Sequence, residues 1–328
     1  MPSCAGVDDV HSDGLEPPLA PPAPRKSALA FFGVVLALFL PGLLAQALHV
    51  FAGLVWSELF VFLLPALVLT TGSNLRAVPY LRLGRVRPAP VALGALIGAA
   101  GTILAMAVMA AAQRVMPRSW IETFDVARLF DRSLAERAVL ALLATVVAPV
   151  CEEIAFRGYL QTTLLARRTP AVAIAGSTLL FALIHLDPVR FPALLVLGAV
   201  FGWLAWRSGS LWPAIAAHAA NNGVVSLFAL TAPRGAQEVE HPPALAILGA
   251  LALGAAALVP LLAAFKSVAG GPIRPEAAIA LRDRSDPSTR FRLRRVPARL
   301  HVAMLLGVQI LLALAIAVRM GALPGAGR

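Results

Sequence analysis

The sequence predicts an all-α fold, a polytopic transmembrane bundle of about eight to nine helices. Three observations predict it. Of 328 residues, 59% are hydrophobic and only 14% charged, whereas soluble domains carry roughly 25% charged residues. The mean hydropathy is +0.80. Apolar stretches of about 20 residues, the length that crosses a bilayer, recur along the chain, and the charges gather between them.

Residues 1–27 are rich in proline and acid and contain no apolar run, so they read as a disordered Pro-rich tail. A membrane-embedded bundle is expected over 28–320. Its candidate spans are 28–48, 51–70, 90–113, 138–166, 170–187, 190–206, 211–231, 244–265 and 300–320. The first begins late and runs past signal-peptide length, so it is expected to stay as a span. A very short turn near His49 and Phe51 makes the first two antiparallel neighbours. In the third, Gly94 and Gly98 stand four residues apart and allow another helix to approach closely. The following segment, 114–137, sets Trp120, Phe124 and Phe130 among charges and suggests an amphipathic interfacial helix. The fourth span is longer than a bilayer requires and should project from one face. After the eighth comes a basic cytoplasmic loop, 266–299, with nine Lys or Arg against Glu276, Asp283 and Asp286.

A net charge of +11 would suggest nucleic acid in a soluble protein. Here it is loop charge, which sets topology and meets anionic lipid, so the lipid bilayer and no nucleic acid is the expected partner. With a cytoplasmic N-terminus, one side receives Arg25, Lys26, Arg76, Arg82, Arg85, Arg87, Arg167, Arg168, Arg207 and the basic loop. The other side receives 114–137, where five Arg are offset by Glu122, Asp125, Asp131 and Glu136. The preference for Arg over Lys, with abundant Ala and Gly, suggests a GC-rich bacterial genome, and a chain of such spans is then expected in the bacterial inner membrane. Two cysteines, Cys4 and Cys151, give no disulfide framework, and Cys151 reads as a small buried residue.

Three polar clusters interrupt the apolar stretches: Cys151-Glu152-Glu153 with Arg157, then Phe181 with His185, then His218 with Asn221-Asn222. A charge at mid-membrane costs about 2.5–3.5 kcal/mol on insertion scales, so such residues face a protein interior and mark function. Glu153 and Arg157 are four residues apart, where opposite charges meet on a helix. Arg157 is therefore expected to neutralise Glu153 and leave Glu152 facing a cavity. Pro149 cannot donate its backbone hydrogen bond and should kink the helix just before the glutamates. At about 1.5 Å per residue, Glu152, His185 and His218 all fall in the inner half of a roughly 30 Å bilayer core. His185 with Glu152 suits activation of a water, with or without a metal. His218 and Asn222, one turn apart, can both donate hydrogen bonds and suit an oxyanion on a scissile carbonyl.

These patterns, Glu-Glu-x-x-x-Arg, Phe-x-x-x-His and His-x-x-x-Asn in successive membrane helices, resemble the signature of the CAAX-protease and bacteriocin-processing (CPBP, Abi) family of intramembrane proteases. Gly158-Tyr159-Leu160-Gln161 after the arginine is also similar. The resemblance covers roughly 135–230. It implies a helical bundle with a cytoplasm-facing cavity and hydrolysis of a peptide bond in a membrane-associated peptide or protein substrate. Carried over, Glu152 and His185 activate the water while His218 and Asn222 stabilise the oxyanion. Members are commonly called metalloproteases, and Glu152, His185 and His218 could supply three ligands to a divalent metal such as Zn2+. The chain has no His-Glu-x-x-His zinc motif, and a metal-free glutamate mechanism uses the same residues.

Two other functions compete. An ion-coupled transporter also uses intramembrane Glu and His, but it needs polar residues along a whole path. Here they concentrate in three spans, with Glu58 in the second as the outlier, read as structural. A catalytically silent scaffold or bacteriocin self-immunity protein would be favoured by a lost motif residue, and every motif position is filled.

Overall fold

The computed structural model describes residues 49–72, 77–231 and 242–272, together with scattered positions between 31 and 46. Every element among them is helical. Six helices are long and apolar enough to cross a membrane. They are α1 (Val50–Thr71), α2 (Pro88–Gln113), α3 (Leu134–Leu165), α5 (Phe191–Ser208), α6 (Trp212–Thr231) and α7 (Ala244–Val268). Between α3 and α5 stands a shorter one, α4 (Pro170–Leu183). The chain is an integral membrane protein.

The expected spans of 51–70, 90–113, 138–166, 190–206, 211–231 and 244–265 correspond to these six. That of 28–48 is helical at its described positions, and 300–320 lies outside the described residues, as do the 1–27 tail and the loop from 273 onward. The span expected over 170–187 is different: α4 has 14 residues, which is about 21 Å, short of a bilayer core of about 30 Å. The reason lies in Asp187-Pro188, since a residue before proline is driven out of the α region. The turn that follows is self-contained. Asp187 accepts from the amides of Val189 (2.9 Å) and Arg190 (3.0 Å) and pairs with the Arg190 guanidinium at 2.5 Å.

Segment 114–137 is not one amphipathic helix. It breaks into a short helix, Arg118–Thr123, and a 3-10 turn, Val126–Phe130. A capping box then starts α3 earlier than expected: the Ser133 hydroxyl accepts from the Glu136 amide while the Glu136 carboxylate accepts from the Ser133 amide.

The turn into α1 is as short as expected. His49 is its N-cap and accepts from the Ala52 amide, and Gln46 on the preceding helical segment donates to Ser57 at 2.9 Å. The central helix is α2, which packs against α5, α6 and α7. Its contact with α6 depends on glycine, because a Cβ at Gly94 or Gly98 would run into the backbone of Pro213 or Ala217. Helix α3 is enclosed by α1, α4, α5 and α6. Its segment from Cys151 to Thr163 is buried throughout, with Ala155, Arg157 and Gln161 at 0% exposure.

Two substitutions separate close approach from ordinary packing. Gly98→Ala should cost about 1–3 kcal/mol by overpacking. Gly101→Ala, where a Cβ would meet only Leu197 at 3.6 Å, should cost less. Thermal unfolding in detergent would show a lower midpoint for the first alone.

Candidate active site

Helix α3 carries the acidic pair, and its backbone is shaped by Pro149. The stretch Leu143–Val147 is π-helical, and the Ala148 amide bonds to Leu143 O, five residues back. In that register the Ala144 carbonyl would be served by residue 149, which as proline has no N–H. The side chain of Asn222 on α6 takes the vacant place, Nδ2 donating to Ala144 O at 2.8 Å. A second π-helical stretch, Ile154–Gln161, follows the glutamates and contains Arg157. Single-turn π distortions of this kind recur at functional sites.

Glu153 and Arg157 pair as expected. The guanidinium Nη1 lies 2.7 Å from Glu153 Oε1, with both side chains at 0% exposure. Nη2 donates to Gly198 O of α5 at 3.0 Å. The guanidinium also lies over the Phe181 ring, 4.3 Å from its centre. One residue thus joins α3, α4 and α5. Gly198 is required by this arrangement, since a Cβ there would press on Thr178 at 2.9 Å and on Arg157 Nη2 at 3.2 Å.

His218 stands between the two glutamates. Its Nδ1 is 3.0 Å from Glu153 Oε1 and its Nε2 is 3.8 Å from Glu152 Oε2. A carboxylate already paired with Arg157 accepts from Nδ1–H, and this turns Nε2 toward Glu152. The imidazole is stacked on Phe201 at 4.9 Å and 21°, which fixes the ring plane. Glu152 Oε2 is buried and has no hydrogen-bond partner among the described residues. This atom and His218 Nε2 face each other at 3.8 Å, beyond direct hydrogen-bond range.

His185 lies in the turn beyond α4. Its Nδ1 is 2.7 Å from Phe181 O; a carbonyl only accepts, so Nδ1 carries the hydrogen, and in the neutral ring Nε2 keeps a lone pair. The Phe181 ring touches both imidazoles, 4.9 Å from His185 and 5.8 Å from His218. Glu152 therefore has His218 as its measured imidazole neighbour, whereas the expected pairing was with His185. Asn222, expected to share an oxyanion role with His218, spends one amide hydrogen on Ala144. Its oxygen accepts from Asn221 Nδ2 at 3.0 Å, and Asn221 in turn accepts from Thr102 of α2 at 2.9 Å.

Two residues had a smaller part in the sequence reading than they take here. Glu58, read as structural near an interface, is buried in the π-helical stretch Ser57–Leu63. That stretch packs against the segment carrying the acidic pair, and Glu58 lies within electrostatic reach of Glu152. Arg82, counted as a loop charge, is 4% exposed. It donates to Ala205 O at 2.8 Å and to the Arg157 carbonyl, and its backbone is left-handed at φ 60°. Burial pushes its guanidinium down to about 10, with Glu153 and Tyr80 acting in the opposite direction, so it stays charged at neutral pH. The apolar neighbours Tyr80, Leu81 and Leu83 were the available signal.

For a metal, three converging donors are needed. Among the described residues no three His, Cys, Asp or Glu side chains gather in that way. Each histidine uses Nδ1 for Phe181 or Glu153 and leaves Nε2 as its remaining nitrogen.

Removing Arg157 alone would leave Glu153 as an uncompensated buried charge, at a cost of about 3–5 kcal/mol. Arg157→Met should therefore fold poorly, while Arg157→Met with Glu153→Gln should recover much of the lost thermal midpoint. Equal midpoints for the single and double variants would contradict the pairing.

Comparison with known proteins adds one finding. Residues 134–224 match the family model described as Type II CAAX prenyl endopeptidase Rce1-like. A search of curated proteins and a search of solved structures each found no match.

Proposed function

We propose, from the match of residues 134–224 to the Type II CAAX prenyl endopeptidase Rce1-like model, that the chain hydrolyses a peptide bond of a membrane-associated substrate with a water activated by Glu152. The observation that carries this reading is the unsatisfied, buried Glu152 Oε2 facing His218 Nε2 across 3.8 Å.

Glu152 takes a proton from the water as its oxygen attacks the carbonyl carbon. The oxyanion is met by donors on α6, namely His218 Nε2 when protonated and the second amide hydrogen of Asn222. Glu152 then returns the proton to the departing amine as the C–N bond breaks, giving a carboxylic acid and an amine. His185, with its Nε2 lone pair, is assigned to hold the water's second hydrogen. Glu153 and Arg157 act through His218 and α5 as positioning residues.

The mechanism routes no step through a metal, because the donors do not converge. The finer assignment follows the same reading: a bacterial inner-membrane protein with a cytoplasmic N-terminus and the site opening toward the cytoplasm. A prenylated tail, the substrate class in the family's name, is not assigned here, since nothing in the described residues selects it over another membrane-tethered peptide.

Two measurements test the proposal. Membranes expressing the wild type should release peptides that Glu152→Gln, at equal abundance, releases about 10²–10⁴-fold more slowly. Coincident peptide profiles would instead favour a silent scaffold. A chelator such as phenanthroline should leave the wild-type rate unchanged; loss of activity restored by Zn2+ would put an ion back in the site.

A further inference from the structure

Away from the acidic pair, α4, α5 and α7 enclose a groove of about 680 Å³. Each helix contributes one face: Ala171 and Ala175 from α4, Ala199 and Trp203 from α5, Leu262 and Lys266 from α7. Each pair is four residues apart, so it lines a single side of its helix. The three alanines are exposed and too small to close the gap, and the floor is Thr178, which separates the groove from Gly198 and Arg157. The walls are otherwise apolar.

One end of this groove is positively charged. Lys266 lines it in the last turn of α7. Arg207, one turn beyond Trp203, donates from Nη2 to Lys266 O at 2.8 Å. Its Nη1 is screened from solvent and has no acceptor among the described residues. Arg167 and Arg168 are exposed just before α4 begins at the same end. No Asp or Glu occurs in α4, α5 or α7, so these three helices supply no counter-charge.

An alkyl chain gains nothing by leaving other lipid tails for an apolar wall, because both are equally apolar. Selection must come from the head. A phosphate at this end would meet Lys266, which lines the groove, and sit beside the half-buried Arg207 guanidinium that bonds to the Lys266 carbonyl. We propose that the groove binds an anionic phospholipid, with one acyl chain between α4 and α5 and its phosphate on Arg207 and Lys266. The proposal does not rest on the protease reading.

Native mass spectrometry of the full chain in detergent, offered equal phosphatidylglycerol and phosphatidylcholine, tests it. Phosphatidylglycerol should be retained about tenfold more: both lipids carry the phosphate, but the choline of phosphatidylcholine adds a positive charge that Lys266, Arg207, Arg167 and Arg168 repel. Arg207→Gln with Lys266→Gln should abolish that preference. Ala199→Leu, which fills the slot and leaves both charges in place, should also reduce retention, and it serves if the double variant fails to fold. Equal retention of the two lipids by the wild type overturns the proposal. So does displacement by inorganic phosphate at matched concentration, which would mark a site for a free anion. Retention of neither lipid also overturns it, and would mean that a second copy or the chain's own 300–320 segment covers the groove.

Discussion

A carboxylate and a guanidinium without contact with water hold the centre of this molecule together. In a bilayer no water compensates Glu153 or Arg157, so each is the other's first partner. Their pairing at 2.7 Å therefore sets where the neighbouring helices stand. Arg157 reaches Gly198 on α5 and the Phe181 ring on α4, while Glu153 anchors His218 on α6. The carbonyl of Arg157 receives Arg82 from the segment before α2. Glu152, one residue away, is left without a hydrogen bond among the described residues. Glu153 and Arg157 each keep a direct charged partner, while Glu152 faces His218 only across 3.8 Å.

Much of this could be read from the sequence where the cause is local. The four-residue spacing of Glu153 and Arg157 is a helix geometry, and Gly94 and Gly98 mark a close approach whatever the partner. Pro149 announced a distortion at the right place. Its outcome was hidden, because the carbonyl it strips of a donor, Ala144, is served by Asn222 from another helix. Spacing could relate His218 to Asn222 along one helix but not reveal that Asn222 has a structural bond of its own.

Other features were hidden for the same reason. Helix α4 ends at Leu183, where the apolar run continues into Ile184, and only Pro188 hints that the helix stops. His185 thus sits on a turn rather than on a helix face, and helical periodicity could not predict its neighbours. Arg82 looked like one more loop charge in a topology count. Its burial follows from the apolar residues around it and from the carbonyls of Arg157 and Ala205, which belong to distant helices.

The shortness of α4 has a consequence for the bilayer itself. A 14-residue helix followed by a turn carrying His185, Asp187 and Arg190 ends roughly 9 Å before a core of about 30 Å would. A hydrophobic stretch shorter than the lipid around it is accommodated by local thinning, at fractions of a kcal/mol per Å of mismatch. Thinning of the bilayer beside this turn would bring headgroups and their hydration closer to His185, and membrane thickness would then act on the turn that carries it.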